Sequence, residues 1–292
     1  MKRVREIFYT DELNDEFSSA VIKARKIDGS YEYGDDSLWW NVRHVAVYRF
    51  FALPIAWLYL KIVWRHKIVN KAVMRPYARR AMFLYGNHTS ASFDPLVPAF
   101  VGFPRAVSVI VHPANVSIPV IGRLLPFAGA LPLPDTFRAA KNFFSALALR
   151  VGKNAPIAIY PEAHIWPYCT KIRNFPDASF SYPVRFGTPV FSFTSTYKKS
   201  RFFRRPKIVT YVDGPFFADG TLGEKEARKK LRDDVHGAMT ARSALNTVEI
   251  VRYTKKGGEL IVRNILFCGN SKVFGGFLTA MLSILMRTKT RE

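Results

Sequence analysis

The run Ala81-Met82-Phe83-Leu84-Tyr85, continued by Gly86-Asn87-His88-Thr89-Ser90-Ala91-Ser92-Phe93-Asp94-Pro95, decides how the chain is read. The apolar run has the length of a strand, and Gly86-Asn87 allow the backbone to turn sharply, which places His88 at the strand's end. Ser92 or Asp94 is positioned to cap a following helix, with Pro95 in its first turn, where a missing N–H costs little. Imidazole takes a proton near neutral pH, and a carboxylate within hydrogen-bond reach fixes its tautomer and stabilises the imidazolium. His88 and Asp94 therefore fit a general base and its orienting partner. They also fit a surface turn or a helix cap.

Outward from this stretch, short apolar runs alternate with helical periods. Strands are expected at Ala81 to Tyr85, Ala106 to Val111, Ala130 to Leu133, Ala155 to Tyr160, Pro189 to Thr196 and Ile208 to Val212. Phe137, Ala140, Phe144, Leu147 and Ala148 fall on one face of a crossover helix that Gly152 ends, and a second helix is expected at about Glu224 to Ala244. The pattern predicts an α/β domain with a central, largely parallel sheet flanked by helices. In open sheets of this kind ligands gather at the carboxyl ends of the strands, where His88 and Glu162 both fall. Glu162 has two readings: a carboxylate that bonds the loop backbone or a substrate hydroxyl, or a surface charge.

The chain has 292 residues, and its 44 Lys and Arg against 22 Asp and Glu give a formal charge of +22. That balance favours partners rich in phosphate: anionic lipid, nucleic acid or a phosphorylated substrate. Cys169 and Cys268 show no ligand spacing, so neither a disulfide framework nor a zinc site is indicated, and a reducing setting fits. After the basic Met1 to Arg5, residues 1–38 are acidic and polar, with no apolar signal region, and read as a partly ordered extension. Residues 39–75 are aromatic, aliphatic and basic, but the uninterrupted apolar core, Phe50 to Leu60, is short for a bilayer span and contains Pro54. This segment reads as an interfacial membrane helix, with a buried helix of the domain as the alternative. Residues 76–270 form the expected domain, and the apolar-basic end, 271–292, is expected to be a helix on an anionic surface or docked on the core.

Three blocks in order resemble the glycerophospholipid acyltransferases typified by 1-acylglycerol-3-phosphate acyltransferase. Asn87-His88 and Asp94 resemble that family's Asn-His…Asp motif, with five residues, Thr89 to Phe93, in place of four. Tyr160-Pro161-Glu162 resembles its Phe-Pro-Glu motif, although Ala163-His164-Ile165 replaces the Gly-Thr and basic residue that follow. Gly187-Thr188-Pro189-Val190 resembles its later Pro-Ile segment.

The resemblance implies a glycerolipid-acyltransferase fold and transfer of an acyl group from acyl-CoA or acyl carrier protein to lysophosphatidate, giving phosphatidate, with no further cofactor and no metal. It makes His88 the base and Asp94 its partner, carries Asn87 and Glu162 over as substrate-binding positions, and leaves the backbone amides at the start of the helix after His88 as candidate oxyanion donors. The family's phosphate-binding Arg is not in place beyond Gly129 to Pro134. Arg123, Arg138, Lys171 and Arg173 are the cations near the motifs that suit a phosphate. The expected location is the cytoplasmic face of the cell membrane, in peripheral or monotopic attachment. The alternative from another class is a non-catalytic basic membrane- or RNA-binding protein: Phe202-Phe203-Arg204-Arg205 mixes aromatics and cations as single-strand binders do, but no RNP motif or zinc finger accompanies it. A hydrolase of the Gly-x-Ser-x-Gly type is not supported, because that elbow is absent.

Overall fold

The computed structural model describes residues 4–17, 22–34 and 37–256. Its strands are β1 (Arg5–Tyr9), β2 (Lys67–Val69), β3 (Met82–Gly86), β4 (Ser108–Val111), β5 (Ala130–Pro132), β6 (Pro156–Ile159), β7 (Val190–Lys198), β8 (Lys207–Phe216) and β9 (Val251–Lys255). The α-helices are α1 (Leu38–Val45), α2 (Leu53–Ile62), α3 (Val97–Gly102), α4 (Phe137–Gly152), α5 (Ser181–Phe186) and α6 (Glu224–Ser243).

Strand β3 is buried over its whole length because it is central: it pairs in parallel with β6 on one side and β7 on the other. Its alternating side chains supply two cores, as a pleated strand must. Phe83 and Tyr85 join Phe143, Leu147, Leu231 and Val235 under α4 and α6, while Met82 and Leu84 join Leu60, Trp64, Val97 and Val101 under α2 and α3. The seven-stranded sheet has the order β2-β8-β7-β3-β6-β4-β5. Strands β7, β3, β6, β4 and β5 are parallel, and β8 turns back antiparallel to β7 with β2 parallel to it. The expected α/β architecture is therefore present, with all six expected strands in place.

Several details differ from the sequence reading. Helix α4 buries Ala139, Phe143, Ala146 and Leu147, whereas Phe137 is 93% exposed. Thr136 caps the helix by accepting from the Ala139 N–H, so the helix starts with Phe137 turned away from the sheet. The buried face is thus rotated from the one the apolar spacing suggests. The acidic leader does not stand apart from the domain: β1 pairs with β9 in a separate two-stranded parallel sheet, and Ile27, Tyr31 and Tyr33 are buried in the core over α4. These contacts lie far apart in sequence and leave no local pattern.

From Leu38 to Ile62 the chain is helical for 25 residues, longer than the expected apolar core and, by length and composition, enough to cross a membrane. Wider π-type turns over Ala46–Ala52 join α1 to α2 and run directly into Pro54, which has no N–H to donate to the turn before it. One side of this helix packs on the domain along its length. The Trp40 ring lies against Phe127, the buried Tyr48 hydroxyl accepts from the Val107 N–H, and Ala56 and Leu60 are buried. The other side exposes Leu38, Trp39, Phe50, Phe51, Trp57 and Ile62. The expected terminal helix over 271–292 and Cys268 lie outside the described residues. Cys169 is a free, buried thiol that burial pushes up to about 12.

Candidate active site

The end of β3 needs a residue without a side chain. A Cβ on Gly86 would stand 2.3 Å from the Phe193 ring and 2.9 Å from that of Tyr160. Asn87 then carries the strand pairing beyond the last backbone bond: its side-chain oxygen accepts from the Ser195 N–H at 2.8 Å and its amide donates to the Ser195 carbonyl at 3.1 Å. Ser195 is supported from behind, where its Oγ lies 2.9 Å from the Thr210 hydroxyl, itself 2.8 Å from His66 Nε2. Asn87, expected to touch substrate, is instead buried with both ends of its amide engaged, and its work is to aim the next residue.

That residue is His88, and its Nδ1 lies 2.9 Å from Asp94 Oδ2. The Asp94 carboxylate is 1% exposed, and the same oxygen accepts the Thr89 and Ser90 N–H groups, each at 2.7 Å. Burial raises the Asp94 carboxyl above its ordinary value, opposed by the hydrogen bond and charge of His88 and by the two amides. A carboxylate only accepts, so Nδ1 carries the proton toward it and Nε2 is left with its lone pair. The His88 side chain is 15% exposed, enough for an edge to meet a substrate.

This geometry corrects two expectations. Asp94 does not cap the following helix; Leu96 stands at the start of α3 without any side-chain bond, and Asp94 turns back over the loop. At the start of that helix the Leu96 and Val97 N–H groups donate to the Phe93 carbonyl, and the Thr89 and Ser90 amides nearer His88 are spent on Asp94, so neither pair is free to hold an oxyanion. The extra residue between His88 and Asp94 does not separate them, because the chain closes back on itself through the Asp94 N–H to the Ser90 carbonyl and a Ser90–Ser92 hydroxyl contact.

Glu162 follows β6, the strand beside β3, and its carboxylate is buried beneath the same loop. It accepts the His88 N–H at 3.3 Å, the Arg173 Nε at 3.2 Å and the Arg173 Nη2 at 2.9 Å. Burial raises its carboxyl, against the Arg173 charge and the His88 amide. Of its two readings, the backbone-bonding carboxylate is the one seen. Arg173, expected among phosphate ligands, is 2% exposed, lies over the Trp166 ring at 4.7 Å and also donates to the His164 carbonyl. A guanidinium so enclosed answers Glu162 and has little surface for a phosphate.

The other three cations are exposed. Lys171 lies on the loop that carries Glu162. Arg123 lies between β4 and β5, and Arg138 lies at the start of α4 beyond β5. Lys171 and Arg138 follow the carboxyl ends of β6 and β5, but β5 stands three strands from β3, roughly 14 Å at the usual strand spacing.

Two aromatic residues complete the site. Tyr160 stacks on the His88 ring with centroids 4.5 Å apart, and its hydroxyl donates to the Asp94 carbonyl at 2.5 Å. A signal for it existed: β3 and β6 pair with Tyr85 opposite Ile159, which puts the next residue, Tyr160, beside the turn that carries His88. Trp166 donates its backbone N–H to the His88 carbonyl at 3.4 Å and its indole N–H to the Asp15 carbonyl of the leader at 2.7 Å. Tyr9, Phe17 and Tyr253 pack around its ring, and His164 pairs with Glu16 at 3.0 Å. Nothing local in the sequence marks these leader contacts.

An open apolar groove of about 850 Å³ lies elsewhere, between α2, β2 and α3, lined by Trp57, Leu58, Phe100 and Phe103 with Lys61 and Lys71 at its edge. His88 does not line it. Among the described residues no cluster of His, Cys, Asp and Glu is arranged to hold a metal ion.

No protein-family model and no curated protein matches the chain. Among solved structures, the 1-acyl-sn-glycerophosphate (LPA) acyltransferase PlsC from Thermotoga maritima is similar to it at 16% identity, covering 71% of this chain and 96% of that one, with a TM-score of 0.47.

Proposed function

We propose that the chain is an acyltransferase that moves a fatty acyl group from a thioester to the free hydroxyl of 1-acyl-sn-glycerol-3-phosphate, making phosphatidate. The observation that carries this reading is the His88–Asp94 pair, with a buried carboxylate on Nδ1 and Nε2 left as acceptor, in a segment that resembles the Asn-His…Asp motif of glycerophospholipid acyltransferases.

The chemistry follows from that pair. Nε2 removes the proton as the acceptor oxygen attacks the thioester carbonyl, and Asp94 stabilises the imidazolium without itself taking the proton. As the tetrahedral intermediate collapses, the C–S bond breaks and the departing sulfur takes the proton from Nε2. The ester and free thiol are formed with His88 returned to its starting state. Glu162, Arg173 and Tyr160 act on the ring's position rather than on substrate. Acyl-CoA or acyl carrier protein serves as donor, and Arg123, Arg138 and Lys171 are the cations left to meet the acceptor's phosphate.

The helix from Leu38 to Ile62 supports attachment to a bilayer. Because one side of it packs on the domain from Trp40 to Leu60, it lies along the lipid surface with its exposed aromatic and aliphatic side outward, rather than threading through. A net charge of +22 suits an anionic leaflet such as the cytoplasmic face of a cell membrane.

The test uses purified full-length protein in detergent, given labelled acyl-CoA or acyl carrier protein with a panel of lysolipids. The expected result is labelled phosphatidate formed from lysophosphatidate in preference to neutral lysolipids. Release of free fatty acid at a rate indifferent to every lysolipid would overturn the reading in favour of thioester hydrolysis.

A further inference from the structure

The basic-aromatic stretch around Phe202 has no part in the acyl-transfer chemistry, yet the fold puts it beside both the site and the apolar helix. Strand β7 runs on past β3: Gly86, the last residue of β3, pairs with Phe193, while β7 continues to Lys198. Asn87 extends that pairing to Ser195, so the turn joining β7 to β8 projects beyond the carboxyl edge on which His88 stands by roughly 10 Å at the usual rise per residue. Phe202 is 82% exposed at this tip and Phe203 58%. Lys198, Lys199, Arg201, Arg204, Arg205 and Lys207 surround them, with no acidic residue between.

This tip is tied to the end of the apolar helix. Arg65, three residues past α2, donates to the Arg205 carbonyl and lays its guanidinium 4.2 Å from the centre of the Phe203 ring. Arg205 in turn lies 5.1 Å from the centre of the Trp64 ring, and the Ile208 N–H donates to the Trp64 carbonyl at 3.1 Å. The hairpin is thus joined by direct contacts to the carboxyl-terminal end of the apolar helix.

We propose that the β7–β8 hairpin is a second membrane-contact element, which inserts Phe202 and Phe203 among the headgroups of an anionic bilayer while its arginines and lysines meet lipid phosphates. Single exposed apolar residues are ordinary on a soluble surface, but two adjacent exposed phenylalanines among cations, tied to the end of a helix that itself exposes a row of large apolar side chains, are not isolated. Aromatic rings at the interface and basic residues at the anionic surface are the two contributions such a patch offers. A single-stranded nucleic acid would also suit stacking rings and cations. It would leave Leu38, Val42, Leu58 and Ile62 uncovered, whereas a bilayer covers helix and hairpin together. With helix and hairpin both seated, the carboxyl edge carrying His88 is held at the lipid, where a lysolipid acceptor resides. This inference rests on the membrane reading of the helix and adds a second, separately removable contact.

The experiment is flotation of the full-length protein with phosphatidylcholine vesicles, with and without phosphatidylglycerol, for the parent and for the variants Phe202→Ser/Phe203→Ser and Arg201→Ser/Arg204→Ser. All four side chains are exposed, so both variants are expected to melt like the parent. The phenylalanine variant is expected to bind anionic vesicles at least about ten-fold more weakly. The arginine variant should lose much of the preference for anionic over neutral vesicles. Acylation of lysophosphatidate in detergent micelles should be unchanged in both, while acylation of vesicle-borne lysophosphatidate falls. Parent-like flotation of both variants overturns the hairpin contact even if the acyltransferase reading holds. Failure of the parent itself to float overturns it together with the membrane reading. If instead the substitutions abolish a gel shift with oligouridylate and leave flotation unchanged, the surface is a single-strand site and the bilayer inference is wrong.

Discussion

Asp94 and Glu162 are both buried carboxylates under one loop, both raised by burial, and both bonded to the same residue, His88. Their difference lies in what else faces them. Asp94 meets an imidazole that can gain and lose a proton and is otherwise held by two neutral amides. Glu162 meets a guanidinium, which does not deprotonate in proteins, and the backbone N–H of His88. Equal burial therefore yields unequal chemistry. The attraction between Asp94 and the ring strengthens when the ring becomes cationic, whereas Glu162 already faces a fixed positive charge and bonds the loop backbone.

The largest effect expected from this contrast is on turnover. His88→Ala should lower acyl transfer by about 10² to 10⁴, the usual scale for a positioned general base, with little change in melting temperature. Asp94→Asn should be of similar severity, since an amide can donate to the ring and favour the wrong tautomer. If Asp94→Asn keeps full activity while His88→Ala is inactive, Asp94 does not orient the base and the contrast with Glu162 collapses.

Glu162 and Arg173 should instead show themselves in stability. Glu162→Gln or Arg173→Met alone leaves a buried charge unanswered, at a cost of about 3–5 kcal/mol, whereas the double variant removes both charges and should recover much of the loss. Chemical denaturation of the three variants measures this. Turnover per folded molecule should stay within about ten-fold of the parent, the worth of one lost hydrogen bond to the His88 amide. A double variant that is stable but as inactive as His88→Ala would move Glu162 to the reacting groups.

A second imidazole sharpens the comparison at smaller scale. His66 is buried against the Thr210 hydroxyl with no carboxylate, and burial, with the Lys61 charge, pushes it down to about 4. Because the folded value lies below the ordinary one of about 6.5, the unfolded chain binds the extra proton. This contribution to stability is intact above pH 6.5 and is lost progressively as pH falls toward 4, with a slope of at most about 1.4 kcal/mol per pH unit. The raised carboxyls of Asp94 and Glu162 act in the opposite sense, their contribution declining as pH rises through their folded values. Denaturation curves of parent and His66→Gln between pH 7 and 4 separate the two: the variant should lack the His66 slope, and an unchanged slope would show that His66 titrates normally.

Much of the frame was legible because it rests on local patterns. The apolar runs that became β3 and β6 end in turn-forming or Pro-Glu segments, and parallel pairing of adjacent strands brings His88 and Glu162 to one edge. The shorter β2 was not foreseen, since Lys67–Val69 is too brief to carry a periodic signal. Asn87 looked like a substrate ligand because it stands beside the proposed base in the motif, but its partner is the Ser195 backbone, 108 residues away. Arg173 looked like a phosphate ligand because it is a cation near a motif. Whether a cation is free depends on which carboxylate the fold buries beside it.

What the sequence by itself determined was the alternation of strands and helices and the closeness of His88 to Asp94 along the chain, since hydrophobic period, turn chemistry and a loop of five residues all act between near neighbours. The tertiary structure alone decided which face of α4 is buried, that the acidic leader packs over Trp166, that the Thr89 and Ser90 amides are consumed by Asp94, and that the Phe202 hairpin lies at the end of the apolar helix. These outcomes depend on where hydrogen-bond donors, rings and charges come to rest after the sheet closes. A donor's sequence neighbours do not specify the acceptor that packing brings to it from a distant segment.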